Sequence, residues 1–187
     1  MLTRVFVRHN YMPCFKRSLC SIREQIAAHY HMEQYGFTSA PSACADLEEG
    51  MIAAVTSSAF GDGSLSECEM HWIRGHFLSM NYDSKVIEEV LNSSDQNNTL
   101  NLISLMEKSK LAKIRKLLVY DAIRAASADG LHELEEKAIR NFATTLDLSC
   151  TEIDAIFQLV EDEETLKIRR ISTLDLKGFD ELCQKYR

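Results

Sequence analysis

One stretch of this chain occurs twice, and it limits the fold more than any other feature. The first copy reads Ala59-Phe60-Gly61-Asp62-Gly63-Ser64-Leu65-Ser66-Glu67-Cys68-Glu69. The second reads Ala126-Ser127-Ala128-Asp129-Gly130-Leu131-His132-Glu133-Leu134-Glu135-Glu136. In each, a helical pattern stops at Asp-Gly and a new one opens with carboxylates. Glycine supplies the positive φ that ends a helix, and Asp bonds the backbone nearby. The acidic residues that follow fall in the first turn of the next helix, where the helix dipole favours negative charge. Asp62 and Asp129 are 67 residues apart, as are Glu69 and Glu136, whereas Ile73-Arg74 and Ile139-Arg140 are 66 apart. Two such halves, each with one amphipathic face to bury, predict an all-α fold. The expected form is a pseudo-symmetric helical bundle of two helix–Asp-Gly turn–helix halves.

The remaining periodicities agree with helix throughout. Residues 1–35 form a basic amphipathic arm, in which Phe15, Leu19, Ile22 and Ile26 make one apolar stripe on a helix expected from about residue 14 to 34. Residues 36–45 (GFTSAPSACA) have a linker composition. The main domain, 46–187, opens with a helix whose narrow face is Met51, Ala54, Val55 and Ser58. Ser66 with Glu69, and Ser149 with Glu152, have capping-box spacing. On the helix after the second turn, Leu134, Ala138, Ile139 and Phe142 are expected to face inward. Glu161–Glu164 reads as an acidic join to a further helix carrying Leu166 and Ile168. The tail, with Leu176, Phe179, Leu182 and Tyr186, is expected to pack back on the domain.

Charge is divided unevenly along the chain. Residues 1–30 carry five basic residues against one acidic, leaving 16 basic and 27 acidic residues in 31–187. An acidic body lacks the clustered Lys and Arg that nucleic-acid binding needs. No apolar run approaches the roughly 18 residues of a membrane span. The six cysteines show no Cys-x-x-Cys spacing, which speaks for free thiols over a zinc ribbon or redox site. The basic, amphipathic start has the character of a mitochondrial targeting segment, with a cytoplasmic address as the alternative.

Asp-Gly followed by Glu also raises the question of calcium. With Gly63 at loop position six of an EF-hand, Phe60 occupies a position that needs an oxygen ligand, and Ala125 does so in the second copy. The standard calcium loop is therefore excluded. Asp62, Glu69, Asp129 and Glu136 remain as candidates for a looser divalent-cation site, beside their turn and capping roles. No Ser-His-Asp, Cys-His or phosphate-binding glycine pattern is present.

From Ala128 to Arg140, continuing to Leu146-Asp147-Leu148-Ser149, the second copy resembles the signature of the tellurite-resistance TerB-like family. The first copy, from Phe60 to Phe77 with Trp72-Ile73-Arg74-Gly75, resembles that family's other half-repeat. The resemblance covers about residues 46–172. It implies a domain of about seven helices, also found in certain DnaJ-type co-chaperones, with links to stress responses, protein scaffolding and an acidic divalent-metal surface. The chain departs from the pattern in having Leu131 directly after Gly130, one acidic residue short, and it has no J domain.

Taken together, these readings predict a non-catalytic protein-interaction or scaffold module. It is expected to serve in a larger mitochondrial assembly or stress-response complex, with Phe15, Leu19, Ile22 and Ile26 meeting a protein partner. No cofactor is required. The alternatives are a weak divalent-metal-binding stress protein and, less favoured, a metal-dependent hydrolase using the acidic site.

Overall fold

Helix α2, Ala45–Ala59, is the pillar of the structure, a computed structural model that describes residues 22–36, 45–93, 108–178 and 181. The chain forms two units, Met1–Pro41 and Ser42–Arg187. In the first, α1 spans Ile22–Tyr35, with Ile22 and Ile26 exposed at 76% and 56%. Phe15 and Leu19 lie outside the described residues.

The second unit is all-α, and no strand occurs among its described residues. Beyond α2 come a 3₁₀ turn at Phe60–Asp62, α3 (Glu67–Ser79), α4 (Ser84–Leu91), α5 (Lys108–Ala126), α6 (Glu133–Thr145) and α7 (Cys150–Thr173). The expected narrow face of α2 is too modest. Met51, Ile52, Ala53, Ala54, Val55 and Ala59 are all buried, as are Thr56 and Ser58. Alanine on several sides lets α3, α4, α5 and α6 all pack against this helix, so it is enclosed rather than amphipathic. The Ser58 hydroxyl donates to the Ala54 carbonyl at 2.9 Å, which satisfies a polar group that the enclosure would otherwise strand.

Several local features recur in the two helix pairs that follow the Asp-Gly turns. Ile73 and Ile139 are fully buried nearly two turns into α3 and α6. The next residue in each, Arg74 or Arg140, reaches across to the following helix. Arg74 grips Glu88 with two bonds, of 2.7 and 3.0 Å, and Arg140 bonds Asp154 at 2.7 Å while lying over the Phe157 ring. Each helix then stops at a residue in the left-handed region, Asn81 (φ 66°) or Asp147 (φ 57°), types that tolerate it. Beyond that point the Tyr82 and Leu148 N–H groups donate back to the Phe77 and Ala143 carbonyls. All these equivalences run at a spacing of 66 residues.

Three expectations about side-chain direction and continuity fail. Leu134 is 57% exposed, because the buried face of α6 is set by Glu135, Ile139 and Ala143. The acidic stretch 161–164 is no join: it lies inside the single helix α7. No glycine or proline interrupts it. Glu163 accepts from the Tyr120 hydroxyl (2.6 Å) and Arg124 (2.8 Å), and Glu164 pairs with Lys167. Carboxylates with local partners are tolerated in a helix interior. Leu176 is 38% exposed rather than packed back. Phe179, Leu182 and Tyr186 lie outside the described residues.

Candidate functional site

The first turns of α3 and α6 hold the only carboxylates of the sequence motif that go deep into the fold. Ser66, extended at φ −70° and ψ 162°, caps α3, and its hydroxyl accepts from the Glu69 N–H at 3.1 Å. Glu69 Oε2 returns the favour by accepting from the Ser66 N–H at 2.7 Å. In α6, Glu135 Oε2 accepts from the His132 N–H at 2.8 Å. Each Glu precedes a fully buried Ile by one turn, so the bend back to the cap also carries the carboxylate onto the core side. Glu69 is 2% exposed and Glu135 1%.

This arrangement leaves a charge problem. Glu69 Oε1 is buried and has no hydrogen-bond partner. Burial, above all, pushes the Glu69 carboxyl up to about 7, while the Ser66 N–H and hydroxyl pull it back. The carboxylates of Glu135 and Asp129 push it further upward. Burial and like charge both oppose ionisation of Glu69, which favours a proton or a nearby cation there.

The four sequence candidates are distributed unequally around this point. Glu69 is at its centre, and Asp129, though exposed, is close enough to act on it. Asp62 is exposed and turns inward on its own loop, where it accepts from the Ser64 N–H at 2.9 Å. Glu136 faces away and pairs with Arg140 at 2.7 Å. Glu135 takes the place expected for Glu136. The second turn is one residue shorter than the first, which moves the equivalent of Glu69 from position 136 to 135. The 66-residue spacing of the Ile-Arg steps already carried that signal.

The 3₁₀ turn is held against the same region. A β-carbon on Gly61 would sit 2.7 Å from Ala138 Cβ and 2.9 Å from Glu135 Cα, so only glycine permits this approach. Gly63 and Gly130, at φ 101° and 116°, make the two turns themselves.

A hard divalent cation suits these groups. It accepts one or two carboxylates and completes its shell with water, and it would engage the orphaned Glu69 oxygen. No set of three or more His, Cys, Asp and Glu side chains arranged to hold a metal ion occurs among the described residues. Protein ligation would therefore draw on Glu69, on which Glu135 and Asp129 act electrostatically.

Other polar groups in the core are arranged differently. His76 Nε2 lies 3.5 Å from Asp121 Oδ2 with both side chains buried, and Trp72 stacks on His76 at 4.6 Å. The Tyr82 hydroxyl meets Met51 Sδ at 3.1 Å, and burial raises both Tyr82 and the nearby Glu48. A cavity beside Leu111, Arg115 and Leu146 contains Arg115, which donates to the Leu146 and Asp147 carbonyls. These groups tie α2, α3, α5 and the α6–α7 turn together.

The described residues of this unit are thus all-α, with a buried capping carboxylate after each Asp-Gly turn. A tellurite resistance protein from Nostoc punctiforme shares that fold, with a TM-score of 0.68 and 23% sequence identity over 83% of this chain and 96% of that one. No protein-family model matches the chain, and no curated protein matches it either. No helix among the described residues is long and apolar enough to cross a membrane.

Proposed function

We propose that this chain is a non-catalytic interaction module whose buried carboxylate pair, Glu69 and Glu135, takes up a divalent cation. The observation that carries the reading is Glu69 Oε1, buried and unpartnered, within electrostatic reach of the buried Glu135. A cation there would offset their repulsion and bind the first turns of α3 and α6 together. Burial of both groups favours a structural role over hydrolysis, since a reacting substrate would have to reach the metal. A scaffold role in a stress response accords with the fold shared with a tellurite resistance protein. The basic, nearly acid-free residues 1–30 support a mitochondrial address, which intact-mass measurement of the native protein would check.

The test is calorimetric titration of Ca²⁺, Mg²⁺, Mn²⁺ and Zn²⁺ into the full chain at pH 7.5. One of the four should bind at about 10⁻⁵–10⁻³ M, the range of weak oxygen-ligand sites. Binding should disappear in Glu69→Gln and in Glu135→Gln, and weaken in Asp129→Asn. A folded wild type that binds none of the four contradicts the cation reading. Turnover of a hydrolysable substrate lost in the same variants would contradict the non-catalytic reading.

A further inference from the structure

Helix α7 outlasts the body it packs on. Ile153, Ile156 and Val160 bury its first half, but every residue from Thr165 to Arg170 is exposed. Helices in proteins draw most of their stability from packing. This one continues for two further turns with apolar groups facing outward. Leu159 and Leu166 are 49% and 54% exposed. Residues seven apart differ by only about 20° around a helix, so Leu159, Leu166 and Thr173 form one line. Asp162 and Arg170, four residues before and after Leu166, flank it.

The charges along this segment are segregated about the same point. Glu161, Asp162, Glu163 and Glu164 precede Leu166, and Lys167, Arg169 and Arg170 follow it. Glu163 is held by Tyr120 and Arg124, and Glu164 by Lys167. Arg169 and Arg170 make no ion pair among the described residues.

A second identical helix laid antiparallel sets the acidic half of one copy beside the basic half of the other. Leu166 falls on Leu166, Leu159 on Thr173, and Asp162 on Arg170, at both ends of the contact. That is the condition for an isologous two-fold interface, in which one patch is complementary to itself. Parallel pairing would set acid against acid. A polyanion such as nucleic acid would be repelled by the acidic half. We propose that two copies of this chain pair through α7, antiparallel and centred on Leu166. The proposal is independent of the cation reading, since no α7 residue contributes to that pair.

Sedimentation equilibrium of the full chain, up to roughly 200 μM, tests it. Wild type should approach twice the mass of one chain at the highest concentrations. Two charge-reversed variants follow: Glu161→Lys with Asp162→Lys, and Arg169→Glu with Arg170→Glu. Each alone should be monomeric over the same range, with self-association weakened at least tenfold. Their equimolar mixture should restore the dimer, which also shows that both remain folded. Wild type that stays monomeric overturns the proposal. So do reversed variants that dimerise as tightly as wild type, or a mixture that remains monomeric.

Discussion

Glu69 and Glu135 hold the same position in two different helices, third in the first turn. Each carboxylate bends back to the N–H of its own cap residue while nearly out of contact with water. Two demands conflict there. For Glu69, accepting a backbone N–H favours the ionised form, whereas burial and the charge of Glu135 favour the neutral one. In Glu69 the second demand prevails, and its carboxyl is raised to about 7.

That conflict gives stability a definite pH dependence when divalent cations are chelated. Between about pH 4.5 and 7 the folded chain keeps a proton on Glu69 that the unfolded chain has released. Folding is therefore favoured at the lower end of this window and loses stability as pH rises through it. Glu88 and Glu152 have lowered values, set mainly by Arg74 and Lys116, so their contributions fade only as pH falls below the window. Glu48, raised by burial, acts in the same direction as Glu69. Glu69→Gln should flatten the melting-temperature profile over this range and raise the melting temperature at pH 8. Equal profiles for the variant and wild type would remove Glu69 as the source.

Gly61 should be the least replaceable residue of the first turn. Gly61→Ala forces a methyl group against Ala138 Cβ and the Glu135 backbone. Urea unfolding should show a loss of about 1–3 kcal/mol, as for other overpacked sites. Ala138→Gly removes the nearest clashing atom and should recover part of the loss in the double variant. Gly61→Ala without measurable destabilisation would mean that the turn stands off α6.

The two aspartates of the repeated motif should behave differently. Asp62→Ala removes the bonds to Ser64 and should lower stability by about 1 kcal/mol. Asp129 is exposed and makes no hydrogen bond among the described residues, but it raises Glu69. Asp129→Ala should leave stability in chelator unchanged or slightly increased, and should weaken cation binding. Gly130→Val, by contrast, places a β-branched residue at φ 116° and should destabilise by about 1–3 kcal/mol in thermal or urea unfolding.

Much of this fold was legible because it rests on local chemistry. Asp-Gly stops, Ser-x-x-Glu caps and 3.6-residue periodicity locate α3, α6 and α7 with little help from tertiary contacts. Ser66–Glu69 and Ser149–Glu152 form capping boxes, as their spacing implies. Side-chain direction was legible only where the register was. Counting from Asp129 selects Glu136, whereas counting back from Ile139-Arg140 selects Glu135, and one missing residue in the second turn separates the two. The depth of α2 lay beyond periodicity, since alanines read as neutral until four helices close around them. Glu163, inside α7, is held by Tyr120 and Arg124, more than 35 residues away in sequence, a contact that periodicity does not reveal. The exposed ends of the Asp-Gly turns, likewise, say nothing about which carboxylate is buried beneath them.

The most direct measurement is a carboxyl-carbon NMR titration of Glu69, followed first in chelator and then with a saturating divalent cation. In chelator Glu69 should titrate near pH 7, shifting toward the ordinary carboxylate range in Glu135→Gln. With cation its midpoint should fall by at least about one pH unit, because a bound cation favours the ionised form. A Glu69 that titrates near 4.5 and ignores both the cation and Glu135 would contradict a shared site at the two capping carboxylates.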